Sequence, residues 1–154
     1  MDRTQQLLQR VVEYLDSQNW HYNFKGKDNN AVEFNMSIKN KLKSCRVIVL
    51  VTDSDIQAFG VCPINASPDV YSNVVEFITR ANYGLKVGNF EFDYRDGEVR
   101  YQTCLSCKEG IPSLKDVERI VDMSFLMFQR YGDGLVKNLM GFGNPEEDIK
   151  QIEG

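Results

Sequence analysis

The longest unbroken apolar run in this chain is Val47-Ile48-Val49-Leu50-Val51, within the segment Cys45 to Thr52. A membrane span needs about twenty such residues. A short run apolar at consecutive positions instead reads as a strand buried on both faces, at the centre of a sheet. The rest of the chain must therefore supply neighbouring strands and a covering layer.

Those neighbours are visible as changes of period. Before the run, Trp20, Tyr22 and Phe24 alternate on one face of a first strand, and Val32, Phe34, Met36 and Ile38 on one face of a second. Asn40 and its lysines mark a turn. After the run, Asp53-Ser54-Asp55 ends the central strand, and Gln57 to Cys62 is a short strand closing this part of the sheet. Later, Phe90, Phe92 and Tyr94 alternate, Asp96-Gly97 is a strong hairpin signal, and Val99, Tyr101, Thr103 and Leu105 alternate on the return.

Helical periods frame these strands. Leu7, Leu8, Val11, Val12 and Leu15 recur at helical spacing from about Arg3 to Ser17, with Asp2 and Gln5 placed as a capping box. Ser67-Pro68 starts a second helix carrying Tyr71, Val74, Val75, Ile78 and Ala81, and Gly84 stops it. Ser113, with Asp116 three positions on, starts a long helix toward Met140, where Gly132-Asp133-Gly134 is expected to introduce a kink or a break. Asn144 and Pro145 open a terminal helix to about Glu153. The order α-β-β-β-β-α-β-β-α-α predicts an α+β fold, an antiparallel sheet packed by helices. With 154 residues and no linker, repeat or low-complexity stretch, residues 1–154 read as one domain that hides roughly 69% of its extended surface.

Composition then narrows function. There is one histidine, His21, on the polar face of the first strand, so a His-based triad or metal site runs through it or does not exist. Gly26-Lys27-Asp28 and Gly141-Phe142-Gly143 lack the spacing of phosphate loops, and Asp53-Ser54-Asp55 lacks the glycine and glutamate of a calcium loop. The Cys104-Leu105-Ser106-Cys107 spacing is the one metal-like or redox-like signal, and about 0.08 such pairs arise by chance from four cysteines in a chain this long. Positions three apart on a strand fall on opposite faces, about 10 Å apart, and Cys45 and Cys62 read as separate small core residues. A net charge of −4 with one lysine-rich turn at Lys39, Lys41 and Lys43 disfavours nucleic acid. Glu146, Glu147 and Asp148 suit the first turn of a helix. The N-terminal Met1 to Gln6 shows no signal-peptide stretch, and no segment spans a membrane; the expectation is a cytoplasmic chain with no cofactor and no catalytic activity.

One helix exceeds its structural need. From Ile120 to Phe128 only Asp122 and Ser124 are polar, so Met123, Leu126 and Met127 widen the stripe beyond one sheet face and are candidates for a homodimer interface. Burial within the chain is the competing reading. Trp20, Tyr22, Phe24 and Tyr83, with Arg80 and Arg130, are candidates for contact with a protein partner, although the alternation of the strand aromatics favours the core for them. Arg80, Arg95 and Arg130 are expected to pair with nearby acids among Asp93, Asp96 and Asp133, or to be solvated.

The stretches Phe77-Ile78-Thr79-Arg80-Ala81-Asn82-Tyr83-Gly84, Gly88-Asn89-Phe90 through Asp93-Tyr94-Arg95-Asp96-Gly97, and Arg130-Tyr131-Gly132-Asp133-Gly134 resemble YbjN-domain proteins, most of all their cyanobacterial branch. The resemblance runs from the second helix through the third. It implies the fold of the type III secretion chaperones, with the terminal helix as an addition. Secretion chaperones are small acidic homodimers that hold extended segments of client proteins, so the resemblance implies a non-enzymatic, protein-binding dimer. It transfers no catalytic residue. The alternative, a metal-binding or redox protein, rests on Cys104 and Cys107.

Overall fold

The computed structural model describes all 154 residues, Met1–Gly154. Its elements are α1 (Arg3–Ser17), β1 (Asn23–Lys25), β2 (Ala31–Ser37), β3 (Ser44–Val51), β4 (Asp55–Val61), α2 (Tyr71–Asn82), β5 (Asn89–Asp93), β6 (Glu98–Ser106), α3 (Leu114–Leu139) and α4 (Pro145–Glu153). The class and order are those expected from the periods. All six strands form one antiparallel sheet in the order β1-β2-β3-β4-β6-β5. β4 thus joins the two halves of the sheet instead of closing the first.

Local chemistry sets the helix ends. The Asp2 carboxylate accepts from the Gln5 amide while the Gln5 side chain accepts from the Asp2 amide. Ser113 Oγ caps the Asp116 amide and Asn144 Oδ1 the Glu147 amide. Ser67 does not cap: its hydroxyl is taken by Asp69, Pro68–Val70 forms a 3-10 turn, and α2 begins at Tyr71. The hairpin connection is four residues, Tyr94 to Gly97, closed by Gly97 N–H to Asp93 O at 2.8 Å.

One sheet face carries every helix. Val47, Val49 and Val51 of β3, Ile56 and Ala58 of β4, and Val99 and Tyr101 of β6 are buried there. The central strand is not buried on both faces as its run suggests. Ile48 and Leu50 point to the open side and are half-buried, shielded by neighbours on the same face such as Phe59, over whose ring the Arg100 guanidinium lies at 4.4 Å. Helices cover one side only, so the second half of the run packs laterally.

α3 is the spine. It rests on β3, β4 and β6, touches α1, and meets α2 and α4. That placement absorbs the surplus apolar stripe: Ile120, Val121, Phe125, Met127 and Phe128 are buried within this chain. Met127 therefore belongs to the core and not to a free surface, Met123 is half-buried, and Leu126 alone stays well exposed, at 43%.

The glycines of Gly132-Asp133-Gly134 do not break α3, which runs without interruption to Leu139. They let other elements approach. A Cβ on Gly132 would stand 2.4 Å from the Asn40 amide nitrogen, which donates to the carbonyls of Phe128 and Gln129. Asp133 accepts from the Lys41 amide at 3.0 Å, so the β2–β3 turn is fastened to the helix at both residues. A Cβ on Gly134 would stand 2.8 Å from Phe77 of α2.

Candidate functional site

The two edges of the sheet differ in chemistry. At β5, α2 ends with Asn82, whose side-chain oxygen accepts the Phe90 amide at 2.7 Å and whose nitrogen donates to the Phe90 carbonyl at 3.0 Å. One carboxamide thus takes up the outward N–H and C=O of Phe90, as a neighbouring strand would, and blocks that edge at this residue. Replacing Asn82 with Ala is expected to cost about 1–3 kcal/mol, the usual cost of stranding hydrogen-bonding groups, and to make the protein scatter light as its concentration rises. A variant as stable and as monodisperse as the parent would show that the edge is protected by something else.

At β1 the edge is open. Ile38 N–H donates to Lys43 O and Val51 N–H to Asn30 O, so even-numbered residues of β2 bond toward β3. Val32, opposite Phe24, is one of these. The ladder parity therefore turns the N–H and C=O of Phe24 outward. Beside them lies an open groove of about 340 Å³ lined by Met1, Gln5, Leu8, Gln9, Val12 and Phe24. Phe24 is 48% exposed, and its ring meets Tyr22 edge-on at 5.7 Å. Leu8 and Val12 are the outer positions of the α1 stripe, left over once Leu7, Val11 and Leu15 face the core.

The sequence candidates separate into two places. Strand β1 begins only at Asn23, so Trp20 and Tyr22 precede it. Trp20 turns inward, stacked on Phe34 at 5.4 Å and edge-on to Tyr14 and Phe125, so it anchors the approach to β1 instead of presenting a contact. Tyr22 is half-buried and its hydroxyl donates to Asp16 at 2.9 Å; burial and that carboxylate push the phenol up. Lys25 and Arg46 flank Glu33 at 3.7 and 3.4 Å, leaving a mild cationic margin. Tyr83, 91% exposed, stands at the end of α2 near β5, across the sheet from Phe24. Arg80 pairs with Glu76 at 2.8 Å and reaches Glu146 of α4 at 3.8 Å, not the aspartates suggested by sequence proximity. Arg130 is exposed, with its guanidinium 5.1 Å from the Tyr131 ring centre. Of the expected pairs only Arg95 with Asp93 forms, at 2.9 Å.

The strongly shifted groups lie inside the packing. Burial pushes Tyr101 and Tyr131 up to about 12, their hydroxyls donating to Val87 O and to Glu153. Burial also raises Asp122, which accepts from Tyr14 and so ties α1 to α3. His21 is exposed. Cys104 is exposed and Cys107 buried, on opposite sides as the spacing implied, and no group of three or more potential metal ligands is assembled. No helix is long and apolar enough to cross a membrane.

The open edge was half legible. Sequence reasoning found Phe24 and missed Met1, Leu8 and Val12, although two leucines in succession, Leu7-Leu8, already signalled a helix stripe wider than one core face.

No protein-family profile matches this chain, and no curated protein sequence does. Among solved structures it is similar to YbjN from E. coli, a protein described as a candidate transcription regulator, with a TM-score of 0.56 over 94% of this chain and 92% of that one. Their sequence identity is 12%. The chain therefore has a YbjN-like fold.

Proposed function

We propose that this chain is a non-enzymatic, chaperone-like protein-binding domain of the YbjN family, of the cyanobacterial type, that works in the cytoplasm without a cofactor. Its partner is a protein segment in extended conformation, seated along the outer edge of β1 with an apolar side chain in the neighbouring groove. The observation that carries this reading is the contrast between the edges: Asn82 pairs the outward backbone groups of Phe90 on β5, while those of Phe24 are turned outward beside Leu8 and Val12. Backbone bonding supplies affinity in such sites and alternate side chains supply selectivity. Self-association through α3 has Leu126 and Met123 to work with, since Met127 is in the core. The E. coli protein's description as a candidate regulator fits a domain acting through another protein; a net charge of −4 does not favour direct contact with DNA.

The test uses extended peptides selected from a random library on the immobilised full chain. Phe24→Asp and Leu8→Asp are expected to weaken the selected peptides about tenfold or more, as loss of a central apolar anchor does, and Tyr83→Ala to leave them unchanged. Peptides that bind the Phe24 and Leu8 variants as well as the parent would place the site elsewhere.

A further inference from the structure

Cys45 and Cys62, which look unrelated in sequence, come together where the β3–β4 ladder ends, Cys62 lying one residue beyond β4. Arg46 of β3 pairs with Val61 of β4, and one step further along that ladder places Cys45 across from Cys62. The bonding phase fixes what kind of pair this is. Cys62 N–H donates to Val99 O on β6, and Ile38 N–H donates to Lys43 O, so odd-numbered residues of β3 bond toward β2. Each cysteine thus turns its peptide groups away from the other. Opposed residues of this non-hydrogen-bonded type have Cα atoms about 4.5 Å apart, within the about 4.4–6.8 Å that a disulfide spans.

Their side chains share the helix-covered face. Cys45 Sγ lies 3.1 Å from where a Cβ on Gly60 would stand, beneath α3, and the two cysteines are 1% and 2% exposed. We propose that Cys45 and Cys62 are a redox-responsive dithiol that closes into a cross-strand disulfide, fastening the end of β4 to β3. In the reaction one S–S bond forms between them as two thiol hydrogens and two electrons leave. A small disulfide such as oxidised glutathione takes them up, its own S–S bond breaking to release two thiols. Cys62 is followed by the exposed Pro63 just beyond the strand, so this end of the ladder is where the oxidant enters.

Burial holds the Cys45 thiol up to about 12 and that of Cys62 up to about 11. Only the thiolate attacks, so closure should quicken about tenfold per pH unit from neutrality to about pH 9. The experiment uses the folded full chain with Cys104 and Cys107 both changed to Ser, incubated with oxidised glutathione. The expected product is about 2 Da lighter, with one S–S bond replacing two thiols, and yields a proteolytic fragment joining Cys45 to Cys62 that dithiothreitol separates. Its melting temperature should rise by about 5 °C or more, since the bond closes a loop of this length. Adding Cys45→Ala should abolish the loss of mass. Full mass retained after a day at about pH 9, or in the four-cysteine chain a link confined to Cys104 and Cys107, would overturn the proposal.

Discussion

Replacing Gly60 with Ala is expected to cost about 3 kcal/mol, near the upper end of what overpacking a core does. That would lower the melting temperature by about 6–12 °C for a chain of this size. Gly60 sits in β4 directly under α3, and a Cβ there would stand 2.0 Å from the Ser124 carbonyl oxygen. The obstacle is backbone, not the end of a flexible side chain. Nor can α3 retreat freely, because Thr103 on β6 donates to the Ile120 carbonyl at 2.7 Å and Asn40 holds the carbonyls of Phe128 and Gln129. Urea denaturation measures the change. The informative control is Gly84→Ala, a position with φ of +87° and nothing within 4 Å of the added atom, which should lose only the cost of a left-handed residue, about 1–2 kcal/mol. Equal losses at the two sites would mean that α3 does not lie on β4 at this distance.

The same contact shows where sequence reasoning ends. Periodicity located most of the helices and strands, because the residues that face the core recur at the period of the element that carries them: Val32, Phe34 and Met36 on β2, or Val117, Ile120, Val121 and Phe128 on α3; β1 is the exception, since Trp20 and Tyr22 precede it. It could not say which elements touch. Gly60 within a strand and Gly132 within a helix both look like weaknesses in isolation, and each is a place where a distant element arrives. The reading of Gly132-Asp133-Gly134 as a kink or break failed for this reason: local propensity was right about the cost, and the Asn40 contact that offsets it lies far away in sequence.

The broad stripe of α3 was legible in part for a related reason. An apolar face too wide for one sheet does need another partner, and that inference was sound, but α1, α2 and α4 already supply it within the chain. The run Val47 to Val51 erred in the opposite sense, reading as covered on both sides where helices cover one. Similar limits apply to the candidate edge. Aromatic alternation pointed to Phe24, whereas the openness of its backbone depends on the phase of the β2–β3 ladder. The blocking of the other edge at Phe90 depends on one asparagine side chain, and neither leaves a period in the sequence.

Replacing Phe128 with Ala is expected to be the most damaging single truncation, at about 3–5 kcal/mol, the range for removing a buried aromatic ring. Phe128 is fully buried and meets Phe90 edge-on at 5.5 Å. Phe90 in turn lies 4.8 Å from Tyr101 and 5.7 Å from Tyr131, so one ring removed from α3 unsettles a cluster that joins the helix to β5 and β6. The hole cannot close by moving α3 inward, since Gly60 already brings the helix backbone into contact with the sheet. Phe128→Leu keeps most of the volume and should lose no more than about 1.5 kcal/mol. Leu126, two positions earlier on the exposed side, provides the comparison: Leu126→Ala should stay within about 0.5 kcal/mol of the parent in a monomer. The decisive measurement is the unfolding free energy of Leu126→Ala and Phe128→Ala at two protein concentrations. A loss at Leu126 that matches the loss at Phe128 and grows with concentration would show that α3 buries its outer face against a second copy. A small, concentration-independent loss would show that Leu126 faces solvent and that α3 makes no contact with a second copy.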